Sequence, residues 1–391
     1  MSDQWGQNYL RLMLEVNKHC DGFVDAYFGQ DKIKVDVDAG DAIPVSDLRV
    51  QLNELRDSFD DSDPQRNAFV MAMITAAETA LRLNTDDAPS YVDEVKYLFD
   101  IEATLSDEAP FQAALQTLDD LLPGTGTVPE RQKVYADHYN MSTEQLHQAI
   151  KLCLAETRKR TADFIDMVEG EGFVYATVTD KPWGGYNWYK GNGQSLIEVN
   201  TDLPVSALGI LDLCAHEGYP GHHTENMLKE ALLYKEKGRA EHAVVLLLSP
   251  AAVIAEGIAM TAREIIFPDD SSDTWLDEVL FPAIGLEPHP VDVRKAISKA
   301  RKDLRYVGRN AAFLHNSGEL NTEETIDYYR THTGSDLERA QQFMRFITSH
   351  YGRAYIFTYT VGYDLIDNTE GDKATLFKRL LTEPMLPSDL G

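Results

Sequence analysis

Across most of this chain apolar residues recur at intervals of three and four, and that spacing commits the bulk of it to α-helix. The pattern is clear at 67–83 (NAFVMAMITAAETALRL), 111–122 and 144–168, and it returns after residue 200 almost to the end. Pro123-Gly124 stops the second stretch inside PGTGTVPE, a candidate linker, and Ser142-Thr143 followed by Glu144 and Gln145 marks a helix start. One region departs from this period. FVYATVT (173–179) and SLIEV (195–199) alternate apolar and polar side chains with many β-branched residues, the signature of half-buried strands. The Gly- and aromatic-rich segment between them, KPWGGYNWYKGNGQ, suits a hairpin loop. The expectation is a mainly α, multi-helical protein with a small β-hairpin or sheet beside its most unusual helix. A helical region, 1–170, would precede a second region, 171–391, in one continuous unit.

The 391 residues carry 36 Lys and Arg against 64 Asp and Glu, a formal charge of −28. A field of that sign repels polyphosphate, which argues against nucleic acid or an anionic membrane as the main partner. The three cysteines, Cys20, Cys153 and Cys214, form neither a disulfide framework nor a CxxC metal pair, as expected in a reducing compartment. The first residues lack the basic and apolar regions of a signal peptide, and no apolar run reaches the ~20 residues needed to span a bilayer. A soluble, cytoplasmic protein is expected, its oligomeric state open.

The unusual helix is ALGILDLCAHEGYPGHHTENMLKE (207–230). His216-Glu217 followed by His222-His223 approaches the HExxH zinc motif, in which two histidines four apart share a helix face and the glutamate acts as base. On a regular helix the spacing fails. Six positions turn His222 to another face, and seven carry His223 about 10.5 Å along the axis. Pro220 cannot continue a helix because its ring meets the carbonyl of residue 216, and Gly221 frees the backbone beside it. A turn there can return one of the two later histidines to His216, and spacing alone does not say which. Ser249-Pro250 then opens another helix, in which Glu256 is a lone carboxylate among apolar residues, a costly position unless a cation joins it.

At these residues the chain resembles a large, mostly bacterial domain-of-unknown-function family with an HExxPGHH signature and a downstream EG(W)A signature. That family is placed among the zincin-like (gluzincin-type) metallopeptidases and is similar in fold to the thermostable metallocarboxypeptidases. The likeness runs through SLIEVNTDLP, HEGYPGHH, AEGIAMTARE, 305–329 and 353–366, covering roughly 170–390. It implies that His216, His222 and Glu256 bind one Zn²⁺ and that Glu217 is the general base. It also aligns Tyr359 with a family tyrosine, a candidate oxyanion donor. The chain departs from the pattern at Thr224-Glu225, Ile258 and Thr358-Tyr359-Thr360.

Further candidates surround this set. Tyr351, Tyr355, Tyr359 and Tyr363 recur every four residues, a stripe that packs a core with its hydroxyls at the rim. Arg301, Arg305 and Arg309 form a ladder before His315. They are either a surface stripe paired with acids or, with Arg353, a fork for a peptide carboxylate. His223, Arg305, Arg309, His315, Arg353 and Tyr355 are the substrate-binding candidates. SLIEV could bind substrate backbone as an edge strand. The expected activity is a zinc-dependent hydrolase acting on short peptides as a carboxypeptidase or oligopeptidase. A hydrolase of a non-peptide amide or ester, or a non-catalytic helical binding module, are the alternatives. Manganese, cobalt or iron suit the same ligand set.

Overall fold

The periodic stretches fold as helices Pro64–Arg82, Ala109–Leu121 and Thr143–Phe164 in a computed structural model that describes residues 4–181, 183–269 and 271–390. Their ends follow local chemistry. Ser142 caps the last of them through the backbone N–H of Gln145, whose side chain returns the bond to complete a capping box. The segment after Pro123-Gly124 is short, because Thr127 and Glu130 form a second capping box that starts helix Val128–His138. Ser249 stands at the N-terminus of helix Pro250–Ile266, but its hydroxyl donates back to the carbonyl of Leu246 at 2.7 Å instead of capping that helix.

Strands number five among the described residues: β1 (Val24–Tyr27), β2 (Gly172–Val178), β3 (Gly185–Gly191), β4 (Gln194–Asn200) and β5 (Val244–Leu246). The two strands expected from alternation are β2 and β4, yet they do not form a hairpin with each other. They pair in parallel, Phe173 opposite Ser195 and Tyr175 opposite Ile197. The expected loop supplies β3, which pairs antiparallel with β4 across a two-residue Asn192-Gly193 turn. Both turn residues have positive φ, 55° and 67°, the conformation that Asn-Gly adopts most easily. The order β2-β4-β3 makes β4 the central strand, so the SLIEV segment has no free edge to offer a substrate. β1 and β5 form a separate antiparallel ribbon that joins the N-terminal region to the segment before helix Pro250–Ile266.

Two further helices complete the frame, His222–Lys229 and Gly352–Asp367. Helices Pro250–Ile266 and Gly352–Asp367 cross at glycines. A Cβ on Gly257 would lie 2.5 Å from the carbonyl oxygen of Gly362, and one on Gly362 would lie 2.3 Å from that of Val253. Only hydrogen fits at this crossing. One apolar core joins Leu10, Val70 and Phe99 to Leu246, Val253 and Phe357, so packing runs across the 1–170 and 171–391 regions. Among the described residues no helix is long and apolar enough to cross a membrane. The three cysteines are buried and free.

Candidate metal centre

The helix carrying His216 ends at Glu217. The chain then coils beneath it through Gly218, a cis Tyr219-Pro220 peptide and Gly221, and helix His222–Lys229 begins. The N–H of Gly221 donates to the carbonyl of Ala215 at 2.9 Å, and the Thr224 hydroxyl donates to that of Gly218 at 3.3 Å. Gly221 serves close approach, not a special φ. Its φ is −73°, but a Cβ there would lie 1.9 Å from the carbonyl oxygen of His216. From the sheet, Asn187 on β3 donates to the carbonyl of Glu217 at 2.6 Å. The turn brings the His216 and His222 rings to 4.8 Å between centroids, nearly perpendicular.

Helix Pro250–Ile266 delivers the third group. Glu256 Oε2 lies 3.6 Å from His216 Nε2, and Oε1 lies 3.8 Å from His222 Nε2. All three ligand atoms lie within 4.8 Å of one another. Ligands at ~2.0–2.1 Å from a tetrahedral zinc stand ~3.3 Å apart, so this spacing needs only small side-chain adjustments. Glu256 Oε1 accepts the Tyr355 hydroxyl at 2.7 Å, whereas the buried Oε2 has no hydrogen-bond partner. A buried carboxylate oxygen without a donor is expensive, and a cation between it and two imidazoles satisfies it. The donor set fits a divalent metal.

Glu217 Oε1 lies 4.0 Å from His216 Nε2. Burial pushes its carboxyl up to about 7, His222 opposing and Glu256 and Asp25 reinforcing. Burial holds His216 well below the ordinary histidine range, helped by the charge of His222. At His222 burial acts downward too, but Glu256, Glu217, Glu225 and Asp25 together outweigh it and raise the imidazole.

The site opens into a cavity of 710 Å³ whose wall includes His216, Glu217, His222, Glu256, Tyr355 and Tyr359. Tyr9, Asp25, Phe28, Phe69 and Met73 line it as well, which is how the N-terminal region takes part. Two cavity groups had no signal in the sequence. Asp25 on β1 accepts a hydrogen bond from Tyr186 on β3, and the charge of Asp25 reaches both His222 and Glu217. The edge strand along the cavity is β3, through Gly185, Tyr186, Asn187 and Trp188, and not the expected β4.

The remaining candidates lie elsewhere. His223 is fully buried and faces away from the cavity, with Nδ1 2.8 Å from the Ser195 hydroxyl and Nε2 3.2 Å from Glu171. Burial works against the Glu171 carboxylate, but bonds from His223, Tyr219 and Arg158 prevail and hold it at about 2. His223 thus anchors the turn to the sheet. The arginine ladder is split, because one helix ends at Asp303 and the next begins at Arg305. Arg301 and Arg305 lie over the rings of Tyr135 and Tyr363, and Arg309 contacts Ser106 and Asp364. His315 meets the Thr325 hydroxyl, and Arg353 pairs with buried Glu94 at 3.2 Å. None of His223, Arg305, Arg309, His315 and Arg353 is part of the cavity wall. Of the tyrosine stripe, Tyr351, Tyr355 and Tyr359 line it, while Tyr363 turns to Glu264 and Lys302.

No family model matches the chain, and no curated protein does. Among solved structures it is similar to a candidate lipoprotein from Colwellia psychrerythraea at 16% identity and a TM-score of 0.55, covering 88% of this chain and 65% of that one. A candidate lipoprotein of unknown function from Shewanella oneidensis aligns at 11% identity and a TM-score of 0.49, covering 88% of this chain and 71% of that one. The Colwellia likeness is one of fold, and this chain spans 65% of that protein's length.

Proposed function

We propose that this protein is a metal-dependent hydrolase, most simply a zinc peptidase of short peptides related to the HExxPGHH family. The supporting observation is the convergence of His216, His222 and Glu256, with Glu217 alongside, on one wall of a 710 Å³ cavity. When bound, a divalent cation supplies Lewis acidity toward water and a carbonyl oxygen. His216, His222 and Glu256 would hold it, and the Tyr355 hydroxyl, which donates to Glu256, would fix that carboxylate in place. Glu217 takes the proton of the attacking water at its carboxylate and returns it to the departing amine. Tyr359, in the same cavity, donates its hydroxyl proton in a hydrogen bond to the oxyanion as it develops. The enclosing walls restrict entry to short chains and favour a peptide over a folded protein. The three free cysteines support a reducing compartment.

The test is elemental analysis of protein purified without a chelator, followed by a peptide screen with the parent and Glu217→Gln. About one zinc per chain is expected in both, with turnover in the variant reduced at least ~10²-fold. Equal turnover in Glu217→Gln removes the base assignment. Hydrolysis of acyl amides or esters but no peptides would favour the non-peptide alternative, and a chain that holds no metal would favour a binding module.

A further inference from the structure

The cavity wall carries six carboxylates, of Asp21, Asp25, Glu217, Glu225, Glu241 and Glu256, against one lysine and no arginine among the described residues. The lysine is engaged, since Lys229 Nζ lies 2.6 Å from Glu225. Glu241 is neutralised by Arg66 at 2.6 Å. The arginines that the sequence offered as a carboxylate fork are paired away from the cavity, Arg353 with Glu94 and Arg309 with Asp364. A divalent cation held beside Glu256, whose buried Oε2 has no hydrogen-bond partner, would balance Glu256 and Glu217. Among the described residues neither Asp21 nor Asp25, both part of the wall, has an ion-pair partner within 4.0 Å. Burial raises the Asp25 carboxyl, and Lys190 acts on it only from further off, so a cation placed beside it restores its charge. Asp25 is held in place by the Tyr186 hydroxyl, and Tyr186 stands in a run of tilted rings with Trp183 and Trp188, at 5.4 and 4.5 Å.

A peptide C-terminus entering this chamber finds no guanidinium and meets like charge. An ammonium group finds a fixed carboxylate and aromatic faces, the two features that bind organic cations. We infer that the cavity selects substrates by a positively charged amine, with Asp25 as its counter-charge, and so takes short peptides by an ammonium group and not by a carboxylate. This specificity rests on the hydrolase reading above. The amine is either the α-ammonium of the first residue or the side-chain ammonium of a basic one.

Calorimetric titration of zinc-loaded protein with four hydroxamates tests it without turnover. The probes are leucine hydroxamate, N-acetylleucine hydroxamate, Nα-acetyllysine hydroxamate and succinic monohydroxamate. At least one of the two probes that carry an ammonium group, leucine hydroxamate and Nα-acetyllysine hydroxamate, is expected to bind about tenfold or more tightly than N-acetylleucine hydroxamate and the succinic form. The leucine and acetyllysine forms show which ammonium is read. In Asp25→Asn the advantage, taken as the ratio to N-acetylleucine hydroxamate measured on the same variant, falls to within about threefold. In the parent the advantage shrinks between about 0.05 M and about 0.5 M salt, a readout that needs no variant to fold. Equal binding of all four, or tighter binding of the succinic form, by protein that holds zinc overturns the ammonium selection and leaves the hydrolase reading intact. A preference unchanged in Asp25→Asn overturns the role of Asp25. Protein that retains no zinc and binds none of the probes overturns the hydrolase reading, and this inference with it.

Discussion

Replacing Gly221 by alanine probes the turn that unites the two histidines. The new Cβ would stand 1.9 Å from the carbonyl oxygen of His216 and 2.5 Å from that of Ala215, where real Cβ contacts essentially never fall below 3.0 Å. The shortfall against the nearer oxygen, 3.0 − 1.9, is 1.1 Å. Both obstacles are backbone at the end of helix Ile210–Glu217, so neither can swing aside as a side chain would. The turn must open by about that much, and His222 is the next residue. Metal–ligand distances tolerate about ±0.2 Å, so an opening near 1 Å removes His222 from the ligand set. Zinc affinity is expected to fall about 100-fold or more, measured by competition with a chromogenic chelator. Urea unfolding of the metal-free protein should show a loss of about 3 kcal/mol from the forced contact. Gly172→Ala is the control, because a Cβ there meets nothing within 4 Å and should alter stability by no more than about 0.5 kcal/mol. A Gly221→Ala protein with the zinc affinity and unfolding midpoint of its parent would refute the close approach as the reason for this glycine.

Other outcomes follow from neighbouring groups. Tyr355→Phe removes the 2.7 Å bond to Glu256 and should weaken zinc about tenfold, whereas Tyr359→Phe should lower turnover with zinc affinity unchanged within about threefold; chelator competition and initial rates separate the two roles. Burial pushes the Glu94 carboxyl from its ordinary 4.5 up to about 7, with Arg353 pulling the other way. A carboxyl raised in the fold stabilises while protonated, so its contribution is present below about 4.5 and lost as pH rises through about 7. Glu94 is 3% exposed, and the displacement is worth about 3 kcal/mol. Denaturation of the parent and Glu94→Gln at pH values from about 4.5 to about 8 should therefore diverge by roughly that amount in favour of the variant at the alkaline end. Parallel pH profiles would exclude Glu94 as the source.

Local chemistry made much of this molecule legible in the sequence. Helix periods, the Ser142 capping box and the alternation in β2 and β4 depend on residues a few positions apart, and each element formed where those patterns stand. The helix break at Pro220-Gly221 was equally local, and with it came the meeting of His216 and His222. Glu256 was found because an ionised side chain among apolar neighbours needs a partner wherever that partner lies. What failed to show was long-range. β1 is four residues long and pairs with a strand more than two hundred residues away, so nothing near Val24–Tyr27 announces the pairing or the arrival of Asp25 in the cavity. The parallel pairing of β2 with β4 was missed for another reason: Asn192-Gly193 is itself a hairpin signal, hidden within a segment that looked like loop throughout. The arginines were misjudged because charge spacing along a helix says nothing about which acids face it. Arg309 and Arg353 found Asp364 and Glu94 on other segments.

Val24–Tyr27 is bonded to Val244–Leu246, and helix Pro250–Ile266 starts four residues later. A fragment beginning near residue 171 would leave β5 as a bare edge and strip Leu246, Val253 and Phe357 of their cover from Leu10, Val70 and Phe99. Unpaired strand edges recruit strands from other molecules. Such a fragment is expected to aggregate, so the two histidines and their glutamate cannot be excised as a portable module.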